Sequence, residues 1–291
     1  MSTPRPKHYM SVSGGKDSTA AALLLREKGI EYEAIFLETG WEHPKTYEYL
    51  ISYLPKVVGP IRWVLPPLPE LSPEVEEIAR ALERRLAHPL GHPCGFVRTA
   101  LHARMMPGSR MRFCTRLLKI AGIKEVFADA PPLRVNVVGV RAEESKARSD
   151  LPEHEISTSL DCMIWRPLIS WSLQDVISIH KRHDVEPNPL YLGANRRVGC
   201  YPCIMANKAD LRILGRDEER MGIIRDFEAA MTLVRGQEGK PGPLLRQRIP
   251  GRPDAPIDDV IEWSRTIRGG RQFPLFDTEE QGCVSWGLCE R

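Results

Sequence analysis

Residues 8–29, His8-Tyr9-Met10-Ser11-Val12-Ser13-Gly14-Gly15-Lys16-Asp17-Ser18-Thr19-Ala20-Ala21-Ala22-Leu23-Leu24-Leu25-Arg26-Glu27-Lys28-Gly29, decide the fold. His8–Val12 is a short apolar run that reads as a buried strand, and Ser13-Gly14-Gly15 ends it. Asp17–Lys28, rich in Ala and Leu and closed by Gly29, reads as a helix. The alternation continues outward. Tyr32–Leu37, Ile61–Leu65 and the valine-rich Leu133–Val140 are strand candidates. Pro44–Leu54, with proline in its first turn, and the charged amphipathic Glu74–Leu86 are helix candidates. Strands separated by helix-length segments imply right-handed crossovers and a mostly parallel sheet. The expected class is therefore α/β, doubly wound, with helices on both faces. Such sheets bind ligands beyond the C-terminal ends of their strands.

Residues 1–210 are expected to form the nucleotide-binding domain, and 211–291 a helical and irregular extension. Within that extension Gly, Pro and Arg thicken over 236–255, a helix is expected over Pro256–Ile267, and a cysteine-bearing tail runs from Phe273 to Cys289. The 291 residues are 42% hydrophobic and 27% charged, an ordinary globular composition. No apolar run approaches the ~18 residues of a bilayer span, and Met1–Lys7 lacks the apolar core of a signal peptide. The expectation is a cytoplasmic protein without membrane contact. A net charge of +3 neither demands nor excludes a nucleic-acid partner. Seven cysteines without a secretion signal point to metal or redox chemistry in a reducing compartment.

The glycine loop carries the first chemistry. Gly14 and Gly15 let backbone approach a phosphate, and the helix N-terminus beyond them offers free N–H groups and partial positive charge. Lys16 adds a point charge, Ser11, Ser13 and Ser18 add hydroxyls, and Asp17 could cap the helix or help hold Mg²⁺. Neither the Walker pattern nor the dinucleotide glycine pattern is present. The bland alternative is a strand-to-helix turn with a polar cap. Glu38 and Thr39 end the second strand beside this loop. Arg141, following Gly139 at the end of the valine strand, is suited to fork onto phosphate or sulfate.

Ser13-Gly14-Gly15-Lys16-Asp17-Ser18 resembles the PP-loop of the adenine nucleotide α-hydrolase superfamily. Three further blocks resemble its phosphoadenosine phosphosulfate (PAPS) reductase branch: Phe36–Tyr47 around Glu38-Thr39-Gly40, Gly139-Val140-Arg141-Ala142-Glu143-Glu144-Ser145, and Trp165-Arg166-Pro167-Leu168 with Trp171-Ser172-Leu173-Gln174-Asp175-Val176 and Asn188-Pro189-Leu190-Tyr191. The resemblance covers about residues 10–208. It implies an adenine nucleotide site (ATP, adenosine phosphosulfate or PAPS) built from Ser11, Ser13–Ser18, Glu38, Thr39, Gly139 and Arg141, with Lys16, Asp17 and Arg141 in catalytic roles.

Cys200-Tyr201-Pro202-Cys203 is one C-x-x-C pair, compatible by itself with zinc, a redox disulfide or a structural role. The resemblance implies a [4Fe–4S] cluster, held in family members by a Cys-Cys pair and a later C-x-x-C. Here Cys114 matches one member of the first pair and Phe113 stands where the other would be. Cys114, Cys200 and Cys203 are then three ligands. Cys283 or Cys289 could be the fourth, or one iron stays open, as the tRNA-thiolating relatives imply. Cys94 and Cys162 read as buried small hydrophobes. His92-Pro93-Cys94 with His102 matches no familiar metal spacing, and His180 and His183 are expected on the solvent side of their helix. Arg98, Arg104, Arg110, Arg112 and Arg116 form a basic stretch, either a solvated surface or a groove for a polyanion.

Two enzyme mechanisms compete. One adenylates an acceptor, DNA, tRNA or a small molecule, releases pyrophosphate and transfers sulfur with help from a sulfur donor. The other reduces a sulfonucleotide to sulfite with a tail cysteine and an external reductant. The family's Glu-Cys-Gly-Leu/Ile-His tail motif is absent from Gly282-Cys283-Val284-Ser285-Trp286-Gly287-Leu288-Cys289-Glu290, which favours the first. A non-catalytic nucleotide-binding subunit is the third reading, and a homodimer is compatible with the sequence.

Overall fold

The computed structural model describes residues 5–108, 111–193, 195, 197–236, 242–246, 248–266 and 286. Six strands form one sheet: β1 (Lys7–Val12), β2 (Tyr32–Leu37), β3 (Ile61–Val64), β4 (Arg134–Val138), β5 (His154–Ser157) and β6 (Cys162–Trp165). Their order is β3-β2-β1-β4-β6-β5, and every pairing is parallel except β5 with β6. The chain steps outward from β1 to β2 and β3, then returns to lay β4 on the other side of β1. The topological switch therefore lies between β1 and β4, where open α/β sheets form their ligand crevice.

Both faces of the sheet are covered, which is why its central strands are apolar on both sides. On one face Met10, Val12, Ala34 and Phe36 pack with α1 (Lys16–Glu27), α3 (Leu54–Val58) and α7 (Leu173–Arg182). On the other, Tyr9, Ile35 and Val64 pack with Ile123, Val126 and Phe127 of α6 (Ala121–Ala128). The doubly wound expectation is met. A third core joins α4 (Pro73–Leu86) and α5 (Gly95–Ala103) to α8 (Lys208–Leu214), α9 (Glu218–Arg235) and α10 (Ile257–Ser264) around Trp41, Phe96 and Phe227. A division at residue 210 would cut α8, and the helices beyond it share this core with residues from the first half.

The segment expected as one helix over Pro44–Leu54 is α2 (Pro44–Glu48), a π-helical turn (Tyr49–Tyr53) and then α3. Pro55 explains the widening, because it lacks an N–H and its ring would collide with the carbonyl four residues back in an unbroken α-helix. A second π-helical stretch, Cys114–Ile120, leads into α6. The β5–β6 ribbon has no counterpart among the strand candidates. The expectation for His180 is corrected: it lies on the buried face of α7, its Nδ1 2.8 Å from Val176 O, next to Trp286. His183 is on the outer side and pairs with Glu27 at 2.7 Å. Among the described residues no helix is long and apolar enough to cross a membrane.

Candidate functional site

The glycine loop leaves β1 and enters α1 at the switch point. Gly14 adopts φ +70°, a conformation open to glycine, and an added Cβ there would lie 3.0 Å from the Thr46 methyl. The Ser13 N–H donates to Ser18 Oγ at 3.1 Å, and the Ser18 hydroxyl donates to Gly15 O at 2.9 Å. The loop is thus closed on itself by the two serines that flank it. Behind it stands the Asn188-Pro189-Leu190-Tyr191 segment. Asn188 Nδ2 donates to Gly14 O at 3.2 Å, and the Tyr191 hydroxyl accepts the Lys16 N–H at 3.3 Å. Trp171-Ser172-x-x-Asp175 has a structural cause as well: Ser172 and Asp175 form the reciprocal capping box that starts α7.

Asp17 is the electrostatic pivot. Its Oδ2 meets Lys16 Nζ at 2.8 Å and its Oδ1 meets Arg141 Nε at 2.6 Å. Burial pushes its carboxyl up, but the Lys16 and Arg141 cations outweigh that and hold it below the usual aspartate range. Each of its oxygens thus faces one cation. Arg141 is buried and also reaches Glu143 at 3.0 Å, so it is a rigid post rather than an exposed surface arginine. Gly139 sits directly against α1: a Cβ there would lie 2.6 Å from Asp17 O and 2.8 Å from Ser18 Cα. Ser11 is committed elsewhere, donating to Asn136 Oδ1 at 3.2 Å between β1 and β4.

Glu38 and Thr39 lie at the end of β2, and the Thr39 hydroxyl donates to Glu42 Oε1 at 3.2 Å. Glu38 accepts from Gly40 N at 2.6 Å and the Tyr47 hydroxyl at 2.8 Å, and contacts His88 Nε2 at 2.9 Å. Burial opposes its charge, yet His88 and these donors hold its carboxyl below the usual range. Among the described residues, Glu38, His88 and His92 are the set of three whose ligand atoms come within 4.8 Å of one another. The hydrogen bonds argue for a proton there rather than a metal. Leu90 N and His92 N both donate to His88 Nδ1, at 3.1 and 3.4 Å, which leaves the proton on Nε2, aimed at Glu38. A metal on Nε2 would require a protonated Nδ1 facing those two donors.

The second chemical centre is built on the first. From Gly40, where a Cβ would fall 2.4 Å from Cys94 Cα, the chain runs into Trp41 and Glu42. Tyr201 N donates to Trp41 O at 2.8 Å, Trp41 Nε1 donates to Pro202 O at 3.2 Å, and Arg220 Nε donates to Tyr201 O at 2.7 Å. These bonds hang the Cys200–Cys203 loop on the end of β2. Cys114 arrives from the start of its π-helical stretch, whose i→i+5 bonding brings Lys119 toward the same face. Lys119 is half-buried, and the neighbouring Cys200, Glu42, Cys203 and Cys114 raise its pKa. Burial and the nearby Glu42 push the Cys200 thiol well up, and its Sγ–H donates to Glu42 Oε1 at 3.5 Å. Glu42 Oε2 is buried without a hydrogen-bond partner among the described residues.

Cys114, Cys200 and Cys203 therefore share one neighbourhood with a half-buried cation that could offset thiolate charge, a donor set that fits an iron–sulfur cluster. Phe113, at the position of the missing family cysteine, is buried in the core 6.3 Å from Phe96. Cys283 and Cys289 lie outside the described residues, as does Arg110. Cys94 and Cys162 are buried as expected, and burial pushes the Cys94 thiol up to about 12. In the basic stretch, Arg98 is corrected: it pairs with Glu76 and Glu83, both at 2.8 Å, and is not available to a polyanion. Lys119, absent from the expected site, had a readable signal as a lysine in the otherwise apolar Leu117-Leu118-Lys119-Ile120.

A family model described as phosphoadenosine phosphosulfate reductase domain matches residues 7–206. A 37.8 kDa protein of Escherichia phage 186 is 31% identical over 97% of this chain and 96% of its own length. The adenosine 5'-phosphosulfate reductase of Allochromatium vinosum is 32% identical over 93 residues, 32% of this chain and 35% of that enzyme. Among solved structures, the PAPS reductase of Candida auris superposes with a TM-score of 0.46 and 17% identity, over 68% of this chain and 83% of that one. The family match runs over more than half of the sequence and takes in the glycine loop, Arg141 and the C-x-x-C pair, so this chain belongs to the phosphoadenosine phosphosulfate reductase domain family.

Proposed function

We propose that this chain is a PP-loop enzyme that binds ATP, adenylates an acceptor with release of pyrophosphate, and supports transfer of sulfur to it. The observation that carries the reading is the meeting of the glycine loop with Arg141 at the β1–β4 switch, a few residues from a chain path that leads to three clustered thiols. The nucleotide phosphates would lie against the N–H groups at the start of α1. Lys16 Nζ would exchange Asp17 for a phosphate oxygen, while Arg141 stays anchored on Asp17 Oδ1. An acceptor oxygen attacks the α-phosphorus, the bond to the bridging oxygen breaks, and pyrophosphate leaves as its magnesium complex. Fixed N–H donors and Lys16 would stabilise the charge that develops. A sulfur nucleophile then displaces AMP. Cys114, Cys200 and Cys203 would hold an iron–sulfur cluster, which when bound supplies sulfur or electrons.

A second reading, reduction of a sulfonucleotide to sulfite, is favoured by the similarity to enzymes named adenosine 5'-phosphosulfate reductase. Calorimetric binding of ATP, adenosine phosphosulfate and PAPS to anaerobically purified protein with Mg²⁺ separates the two. Tighter ATP binding is expected. Tighter sulfonucleotide binding would overturn adenylation. A colourless protein without iron or acid-labile sulfide would remove the cluster.

A further inference from the structure

Beside the thiol centre lies a cleft that the nucleotide chemistry does not use. It holds about 120 Å³, with Gly108 of the loop before Cys114 on one side, Met205 just after Cys203 at its base, and Arg246 and Arg248 of the C-terminal segment opposite. That volume is roughly four waters, enough for one tetrahedral oxyanion and too small for a nucleotide. The wall is cationic by construction. The Arg248 guanidinium is half-buried and donates to Ile204 O, which pins it one residue from Cys203. Arg246 reaches Asp254 at 3.4 Å with one terminal nitrogen, but its Nε is a buried donor without an acceptor among the described residues. A buried N–H left unpaired costs about 1–3 kcal/mol, so an acceptor atom entering the cleft would relieve it.

Two further arginines flank Cys114 in the sequence. The Gly108 N–H donates to Met111 O at 3.3 Å, so Arg112 is the residue after a contact made by the cleft-lining Gly108. Arg116 lies one turn on, its N–H donating to Arg112 O at 3.2 Å, and Cys114 is between them. Arg112 and Arg116 are both exposed, and neither makes an ion pair among the described residues. A lone sulfate or phosphate would use the cleft alone. A ligand with repeating phosphates would use the cleft and these two arginines together.

We propose that Arg246 and Arg248 seat a backbone phosphate of a nucleic-acid acceptor beside the cysteine centre, with Arg112 and Arg116 taking a neighbouring phosphate. The C-terminal segment thereby becomes part of the substrate site. This rests on the sulfur-transfer reading above, which it extends from an unspecified acceptor to a polynucleotide.

The test is fluorescence anisotropy on the full anaerobic protein, with labelled bulk tRNA and a labelled single-stranded DNA of about 20 nucleotides, over a salt series. Iron per chain and ATP binding are measured on the same samples. The double variant Arg246→Gln/Arg248→Gln is expected to bind at least one of the two probes about tenfold more weakly. Its salt dependence should be flatter by roughly 0.7–0.9 for each phosphate that the variant leaves unneutralised. Arg112→Gln/Arg116→Gln should act in the same direction, and Arg62→Gln, on the far edge strand β3, should not. If the double variant fails to fold, Arg246→Gln alone carries the test, since its ion-pair partner among the described residues is the exposed Asp254. Wild-type affinity and salt slope in a folded variant that keeps iron and ATP would overturn the phosphate seat and leave the adenylation reading standing. Binding of inorganic sulfate with no affinity for either polynucleotide would overturn the acceptor class. Failure of the wild-type protein to bind ATP would instead sink the reading underneath.

Discussion

Replacing Gly139 by alanine tests whether the glycine loop is held in place by the strand beside it. The added Cβ would stand 2.6 Å from Asp17 O, 2.7 Å from Asp17 C and 2.8 Å from Ser18 Cα, all backbone atoms. Carbon atoms pack comfortably at ~3.5–4.0 Å, so the first turn of α1 must retreat by about 0.7 Å. No flexible side-chain end can give way instead. Overpacking of this kind costs ~1–3 kcal/mol, and a backbone obstacle puts Gly139→Ala toward the upper end. In a chain of this length that corresponds to a fall in Tm of roughly 4–10 °C. The retreat also carries the α1 N–H groups away from a bound phosphate. Loss of one hydrogen bond to a charged group is worth ~1.5–3 kcal/mol, a ~10- to 100-fold weaker Kd for ATP. Gly59→Ala is the control. Gly59 has φ +86° and nothing within 4 Å of its would-be Cβ, so alanine there strains the backbone remotely from the site. It should lower Tm with no change in ATP affinity. Calorimetric titration and thermal unfolding of both variants give the answer. ATP affinity within twofold of wild type in Gly139→Ala would refute the reasoning, as would an equal loss in Gly59→Ala.

Arg141→Met leaves the buried Asp17 carboxylate with Lys16 alone, and should destabilise the fold by ~3–5 kcal/mol in urea titrations. Adding Asp17→Asn should recover part of that loss; two additive penalties would mean the pair is not coupled. Glu228, buried and bound by Leu244 N at 2.8 Å and Ile257 N at 3.0 Å, has its carboxyl pushed up by burial from 4.5 to about 7. Its folded pKa exceeds the unfolded one, so between those values the folded state binds more protons and stability falls as pH rises, by up to ~3 kcal/mol. Urea midpoints at pH 5, 6 and 7.5 should show that slope in the wild type and its loss in Glu228→Gln, whatever the variant's absolute stability.

The fold is legible in the sequence wherever an element's cause is local. The β1 run, the glycine loop and the helix after it are set by neighbouring residues, and the parallel order follows from helix-length spacings. Arg141 is legible from the valine strand it follows, but the Cys114/Cys200/Cys203 grouping is legible only through a family resemblance, because long stretches of chain separate these cysteines and no spacing rule joins them. What escapes depends on tertiary contact. His180 looks surface-like as an imidazole near a helix end, yet its Nδ1 back-bonds to Val176 O and its ring packs on Trp286. Arg98 looks basic in sequence and is neutralised by Glu76 and Glu83 from another helix. Glu38, expected from sequence to share a crevice with the glycine loop, is bound by Tyr47, Gly40 and His88, partners that the sequence does not announce.

Those same contacts make the end of β2 the mechanical link between the two centres, with Trp41 at its middle. The indole stacks on Phe96 at 4.9 Å and lies 4.0 Å under the Arg220 guanidinium, while its N–H holds Pro202 and its carbonyl holds Tyr201. The backbone bond to Tyr201 would survive Trp41→Phe, but the bond to Pro202 would not, leaving a buried carbonyl to find another donor at ~1–3 kcal/mol. The strand itself is untouched, because its ladder to β1 ends at Phe36, five residues earlier. The two centres should therefore separate in this variant. ATP affinity is expected to stay within about threefold of wild type, since neither the glycine loop nor Arg141 contacts the indole. Iron bound per chain after anaerobic reconstitution should fall by half or more, because the Cys200–Cys203 loop loses one of the bonds that hang it on β2. Equal loss of ATP and iron would mean the two sites collapse as one unit. Full iron with unchanged ATP binding would show that the bonds of Tyr201 to Trp41 O and Arg220 suffice to position the thiols.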